Sequence, residues 1–154
     1  MEIKESTALV TGANRGIGYV FARALIARGA ATVYAGVRDP ASVSGEDLTP
    51  LRLDVTVPEE VAAAAGDATI VINNVGVGGF TTKLLTGSFD GARQAVEINY
   101  FGTWAVSRAC APVLGTKGLS AADHRLVPAA ARRSAGSVLG TSSARSQRRR
   151  IHER

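Results

Sequence analysis

The feature that most constrains this chain is a glycine-rich turn between a short apolar run and an amphipathic segment. Residues 11–18 read Thr-Gly-Ala-Asn-Arg-Gly-Ile-Gly and follow the apolar residues Ala8, Leu9 and Val10. Glycine is used where a chain must reverse sharply or where another group approaches the backbone closely. The pattern therefore predicts a buried strand, a tight turn and a helix that begins at Gly16.

The three glycines of this turn have different predicted roles. Gly12 allows the chain to leave the strand sharply, Gly16 allows backbone N–H groups to approach a ligand, and Gly18 allows the helix to pack on the strand. The free N–H groups and the positive end of the helix dipole then favour a bound phosphate. We therefore expect a cradle for a dinucleotide phosphate, with a plain tight turn as the alternative.

Short apolar runs alternate with segments of helical character over the first 114 residues. Predicted strands cover residues 7–10, 31–36, 51–54 and 69–73, and predicted helices cover residues 16–28, 58–66 and 90–114, the last capped by Asp90. Apolar strands separated by helices indicate a parallel sheet that is covered on both sides. The predicted fold is α/β, a Rossmann-like parallel sheet with helices on both faces that is truncated after about four strands.

The segment after residue 114 differs in kind from the rest. Residues 1–114 hold nine Lys/Arg and eleven Asp/Glu, a net charge of −2, whereas residues 115–154 hold nine and two, a net charge of +7. The second segment contains no Phe, Tyr or Trp, so it cannot bury enough apolar surface to offset its chain entropy. We predict a dinucleotide-binding domain over residues 1–114 and a basic, low-complexity tail over residues 115–154, disordered or weakly helical.

Composition argues against several other classes of function. The single cysteine, Cys110, excludes an internal disulfide and lies in an apolar helical stretch, so we expect a buried thiol. No apolar run approaches the ~20 residues of a membrane span, and the N-terminus is not a signal peptide, so we expect a cytoplasmic protein without a membrane partner. His124 and His152 show no metal-ligand spacing, and no metal is expected. The tail lacks aromatic residues for base stacking, so nucleic acid is not a favoured partner.

Four motifs together resemble the short-chain dehydrogenase/reductase family. They are residues 11–18, Leu-Asp-Val-Thr at 53–56, Asn-Asn-Val-Gly at 73–76 and Glu-Ile-Asn-Tyr-Phe-Gly at 97–102. They occur in the family's order, and the resemblance covers residues 6 to about 114. It implies an NAD(P)-binding domain and an oxidoreductase that transfers hydride between an alcohol and a carbonyl.

The resemblance also implies a set of cofactor-binding residues. They are Gly12, Asn14, Arg15, Gly16, Ile17, Gly18, Arg38, Asp54, Val55, Asn74, Val75 and Gly76. Among them, Arg15 and Arg38 suit a ribose 2′-phosphate and favour NADP(H) over NAD(H). Asp39 is the opposing feature, because an acidic side chain at the end of the second strand can bond the ribose 2′-hydroxyl and repel a phosphate.

The catalytic residues that the resemblance implies are only partly present. Asn99 matches the asparagine that supports a proton-relaying water. No Tyr-x-x-x-Lys occurs, because the residues four positions after the three tyrosines are Arg23, Arg38 and Trp104. The family's spacing places its serine, tyrosine and lysine at Leu126, Leu139 and Ser143. The general acid of the reaction is therefore missing.

A different alignment puts Gly-Ser-Val-Leu-Gly-Thr-Ser-Ser at 136–143 on the strand that ends in the catalytic serine, but the chain then stops before the tyrosine. We expect a catalytically incomplete oxidoreductase, with a noncatalytic NADP(H)-binding module or a nonfunctional truncated fragment as alternatives. The abrupt change after residue 114 suggests a frameshifted relative of a full-length reductase. A small carbonyl or alcohol substrate is expected only if the chain is active. Oligomerisation is in doubt, because the usual partner helix is absent.

Overall fold

Four parallel strands form one sheet in a computed structural model, which describes residues 2–78 and 86–116. The strands are β1 (Thr7–Thr11), β2 (Thr32–Val37), β3 (Thr49–Arg52) and β4 (Ile70–Ile72). They lie in the order β3-β2-β1-β4, so the chain moves outward from β1 on one side and then returns to its other side. The carboxyl ends of β1 and β4 therefore flank a topological switch point, where ligands bind in open α/β sheets.

The helices are α1 (Gly16–Ala27), α2 (Pro58–Ala64), α3 (Phe89–Val96) and α4 (Thr103–Thr116), with a 3₁₀ turn at Pro40–Ser42 and a π-helical segment at Glu97–Gly102. Successive residues of β1 point to opposite faces of the sheet. Val10 packs in one core with Leu25 of α1. Leu9 packs in the other core with Val61 of α2 and Val106 of α4.

The predicted α/β sheet with helices on both faces is thus confirmed, while the bounds of the strands shift by a few residues. The prediction of one helix over residues 90–114, capped by Asp90, is wrong. Ser88 is the cap, because its short side chain brings Oγ within 3.0 Å of the backbone nitrogen of Gly91, which donates to it. Asp90 lies inside the first turn, where its negative charge interacts favourably with the positive end of the helix dipole. The helix is also interrupted by the π-helical segment.

Some predictions concern the chain beyond these elements. The predicted tail lies outside the described residues from position 117 onward. Within residues 2–78 and 86–116, no helix has the length and apolarity that crossing a membrane requires, and no cluster of three His, Cys, Asp or Glu residues is placed to bind a metal ion. Cys110 is buried as predicted, and this burial raises the pKa of its thiol above the ordinary value.

The central position of β1 predicts a large stability loss on truncating Leu9, which is 0% exposed. Leu9→Ala should lower the free energy of unfolding by about 2–5 kcal/mol, since it leaves a cavity between the sheet and two helices. Val20, on the solvent side of α1 and 64% exposed, is the matched control. Val20→Ala should change stability by no more than ~0.5 kcal/mol. Urea unfolding of the 154-residue chain measures both, and equal effects would contradict the packing described here.

Candidate cofactor site at the carboxyl ends of the strands

The turn after β1 is shaped by two glycines with left-handed backbone angles. Gly12 has φ +68° and Gly16 has φ +57°, so a side chain at either position is strained. A Cβ added at Gly16 would meet no atom within 4 Å, which means that the space in front of this backbone is open. Arg15 precedes the first turn of α1 and makes no side-chain cap. No capping side chain from Arg15 therefore competes with a ligand for the N–H groups of that turn.

Gly18 is required by packing. A Cβ at this position would overlap the carbonyl oxygen of Gly12 and lie 2.5 Å from the side-chain nitrogen of Asn74. Neither neighbour can move easily, because one is backbone and the other is hydrogen-bonded to two carbonyl groups. Glycine at position 18 thus allows α1 to begin directly against the turn.

A set of hydrogen bonds between the ends of β1 and β4, here called the Thr11–Asn74 joint, fixes the turn to the sheet. The buried hydroxyl of Thr11 accepts hydrogen bonds from the backbone nitrogens of Asn74 and Val75, at 2.9 and 3.0 Å. The side-chain nitrogen of Asn74 donates to the carbonyl oxygens of Thr11 and Gly12, at 3.1 and 3.3 Å. On the other side, the backbone nitrogen of Gly12 donates to the carbonyl oxygen of Gly36 at 2.7 Å. The turn is therefore held by both neighbouring strands.

Asn99 lies in the π-helical segment and holds the chain that follows β4. Its Oδ1 accepts a hydrogen bond from the backbone nitrogen of Val77 at 2.8 Å, and its Nδ2 donates to the carbonyl oxygen of Val77 at 3.0 Å. A Cβ at Gly76 would lie 3.2 Å from the same Oδ1. The amide is thus a clamp on residues 76–77. Its predicted support of a proton-relaying water stays a prediction.

The end of β2 carries two charged residues in different situations. Arg38 is exposed, and its guanidinium forms no hydrogen bond or ion pair with another described residue, which is also true of Arg15. Asp39 caps the 3₁₀ turn, where its Oδ1 accepts a hydrogen bond from the backbone nitrogen of Ala41 at 3.1 Å. Neither guanidinium group is held by a hydrogen bond within the described residues, whereas the carboxylate of Asp39 already has a donor.

The loop after β3 is organised by carboxylates. Oδ1 of Asp54 accepts hydrogen bonds from the backbone nitrogen and the hydroxyl of Thr56, at 3.0 and 2.7 Å. These two bonds, more than the nearby charges of Arg38 and Arg52, hold the pKa of Asp54 below its ordinary value. Glu60 of α2 accepts a hydrogen bond from the backbone nitrogen of Asp54 at 2.6 Å and one from Nε of Arg52 at 2.8 Å. These two bonds also lower the pKa of Glu60, and the bond from the backbone of Asp54 has the larger effect.

The residues predicted from sequence follow the carboxyl ends of all four strands. Residues 12–18 follow β1, Arg38 follows β2, Asp54 and Val55 follow β3, and residues 74–76 follow β4. Val55 and Ile17 are apolar residues of this set with opposite exposure. Val55 is 5% exposed and belongs to the core beside α2 and α4, so only its backbone is placed to meet a ligand, while Ile17 is 67% exposed on the first turn of α1.

Three residues that organise the site were missed by sequence reasoning. Thr11 begins the glycine motif, and its position at the end of a buried strand is the signal that its hydroxyl needs partners. Glu60 lies in the first turn of α2, a position where a carboxylate is favoured by the helix dipole. Ser42 gives no local signal, because it contacts Asn14, 28 residues earlier in the chain.

Comparison with known proteins agrees with this geometry. The family model described as short chain dehydrogenase matches residues 6–153. The match extends beyond the motifs noted above and includes the run at 136–143. A 1-deoxy-11-beta-hydroxypentalenate dehydrogenase of Streptomyces avermitilis is 33% identical over 134 residues, which cover 77% of this chain and 50% of that protein.

Two solved structures have the same fold and carry nicotinamide cofactors. A short chain dehydrogenase from Burkholderia cenocepacia in complex with NADP is 40% identical, with a TM-score of 0.70 over 77% of this chain and 52% of the other. A 3-ketoacyl-(acyl-carrier-protein) reductase from Brucella melitensis complexed with NADH is 26% identical, with a TM-score of 0.67 over 75% and 54%. The chain thus spans about half the length of the relatives that it matches.

The Thr11–Asn74 joint predicts a specific effect of removing one hydroxyl. Thr11→Val keeps the shape of the side chain but leaves the part-buried backbone N–H groups of Asn74 and Val75 without an acceptor. We expect the free energy of unfolding to fall by about 1–3 kcal/mol. Thr11→Ser, which retains the hydroxyl, should lose less, and denaturant unfolding measures the difference. A valine variant as stable as the serine variant would refute the importance of the hydroxyl.

The hydrogen bonds of Asp54 predict a pH dependence of stability. Because its pKa is lowered in the folded chain, the charged form stabilises the fold above the unfolded pKa of about 4, and this contribution disappears as the pH falls through the folded pKa. Asp54→Asn should therefore flatten the decline of stability below about pH 5. Urea unfolding between pH 3 and 7 checks this, and an unchanged slope in the variant would contradict it.

Proposed function

The chain belongs to the short-chain dehydrogenase family, and we propose that it binds NADP(H), in preference to NAD(H), across the carboxyl ends of its strands. The observation that carries the proposal is the open backbone of Gly16 at the start of α1, beside the switch point between β1 and β4. A phosphate bound there meets N–H groups and the positive end of a helix dipole. The Thr11–Asn74 joint holds this backbone in place before any ligand arrives.

The preference for the phosphorylated cofactor rests on charges at the edge of the site. Arg15 and Arg38 are exposed, their guanidinium groups form no hydrogen bond or ion pair with another described residue, and guanidinium groups bind phosphates through paired hydrogen bonds. Asp39, which would oppose a 2′-phosphate, uses its carboxylate to cap the 3₁₀ turn. The similar structures carry either NADP or NADH, so their cofactors alone do not decide the preference.

Family membership implies hydride transfer between an alcohol and a carbonyl, with the hydride supplied or accepted by the nicotinamide. Carbonyl reduction also needs an acid that protonates the forming alkoxide. The 154 residues contain no Tyr-x-x-x-Lys, and Asn99 is the one residue that matches a catalytic position of the family. We therefore propose that this chain binds the cofactor without the turnover typical of its family.

The 154-residue chain then acts as a noncatalytic NADP(H)-binding module, and the alternative is a nonfunctional fragment that binds no cofactor. Titration of the 154-residue chain with NADPH and NADH, together with a turnover assay on a panel of carbonyl compounds, separates these two possibilities. Saturable NADPH binding without turnover supports the proposal. Turnover would contradict the proposal that the chain lacks the general acid, and absence of binding would contradict the proposal that the glycine-rich turn binds the cofactor.

Replacing Arg38 should change cofactor preference and leave the fold intact. Arg38→Ala should weaken NADPH binding by about tenfold, since it removes a charge-assisted contact with the 2′-phosphate, and should change NADH binding by less than about twofold. Arg28→Ala, an exposed arginine at the far end of α1, is the matched control and should affect neither. Fluorescence titration gives the dissociation constants, and an equal loss of both cofactors in Arg38→Ala would contradict the assignment.

A further inference from the structure

The loop after β2 brings an acidic residue to the part of the site that would hold the ribose. Asp39 directly follows Arg38 at the carboxyl end of β2. A carboxylate at such a position accepts a hydrogen bond from a ribose 2′-hydroxyl and repels a 2′-phosphate. The direction that Asp39 takes therefore affects which cofactor the neighbouring Arg38 can serve.

A short chain of hydrogen bonds, here called the Asn14–Ser42 clasp, holds the turn that Asp39 caps. Nδ2 of Asn14 donates to Oγ of Ser42 at 3.1 Å. Oγ of Ser42 donates in turn to the carbonyl oxygen of Asp39 at 2.5 Å, and the backbone nitrogen of Ser42 donates to the same oxygen at 3.0 Å. The clasp thus ties the 3₁₀ turn of Pro40–Ser42 to the glycine-rich turn.

The clasp matters because the element that it holds is weak by itself. A 3₁₀ helix has poorer hydrogen-bond geometry than an α-helix and occurs in short pieces, so contacts from outside a three-residue turn add to its stability. The carboxylate of Asp39 is kept in place by the backbone nitrogen of Ala41, which belongs to that turn. If the turn opens, Asp39 loses this donor and is free to rotate.

We propose that the Asn14–Ser42 clasp is a specificity device that keeps Asp39 in the 3₁₀ turn, away from the ribose, so that Arg38 meets the 2′ position of the cofactor without a competing negative charge. This inference rests on the proposed binding of a nicotinamide dinucleotide. Ser42 acts through Asp39 and is a positioning residue. It is therefore tested by the ratio of two affinities, which a merely structural role does not change.

The test measures dissociation constants of NADPH and NADH for the full chain and three variants. Ser42→Ala should reduce the preference for NADPH over NADH by about three- to tenfold, because the released carboxylate repels the phosphate. Ser42→Thr, which retains a hydroxyl, should keep the wild-type ratio. Adding Asp39→Asn to Ser42→Ala should restore the ratio, because the uncharged amide does not repel a phosphate. Thermal unfolding of each variant confirms that the fold is retained.

The outcomes separate the clasp from the proposed function. An unchanged ratio in Ser42→Ala would overturn the clasp, even if the wild-type chain binds NADPH tightly. A reduced ratio that Asp39→Asn does not restore would place Ser42 in direct contact with the phosphate, which also overturns the clasp. If the wild-type chain binds neither cofactor, both the function and the clasp fail.

Discussion

The rest of the site depends on the hydrogen bonds that the hydroxyl of Thr11 accepts. Thr11 is buried at the end of β1, and its hydroxyl accepts hydrogen bonds from the two backbone N–H groups that follow β4. Without this acceptor the part-buried backbone N–H groups of Asn74 and Val75, which follow β4, would lose their hydrogen-bond partner. Because the side chain of Asn74 donates two hydrogen bonds to carbonyl groups of the glycine-rich turn, the end of β4 and the turn are held together.

Around the Thr11–Asn74 joint, the carboxyl end of each strand places a different group at the site. The turn after β1 offers open backbone, the end of β2 offers Arg38 and the capped Asp39, and the loop after β3 is fixed by Asp54 and Glu60. The chain after β4 is held by Asn99. All of these contacts form within the chain itself, and those of Thr11 with Asn74 and of Asn99 with Val77 span 63 and 22 residues of sequence, so the strand ends are held in place before a ligand enters. Such preorganisation reduces the entropy lost on binding.

Sequence alone was sufficient for features that depend on local or periodic patterns. The parallel sheet, its two covered faces and the turn at Gly12 and Gly16 follow from apolar runs and glycine spacing, and the family resemblance is confirmed. Sequence failed where long-range contacts decide. Nothing local distinguishes Ser42 from any other loop serine, and nothing local indicates that Asn99 of the π-helical segment contacts Val77, 22 residues earlier in the chain. The burial of Val55 likewise depends on helices that are distant in sequence.

We propose that the open backbone between β1 and α1 receives the phosphates of a nicotinamide dinucleotide. The most direct measurement is a titration of isotope-labelled chain with NADPH, followed through its backbone amide NMR signals. Binding at this backbone should give saturable shifts of the amides of Gly12, Gly16 and Gly18, while the amide of Gly66, just after α2, should be unchanged. Unchanged signals for the three turn glycines at saturating NADPH would contradict it.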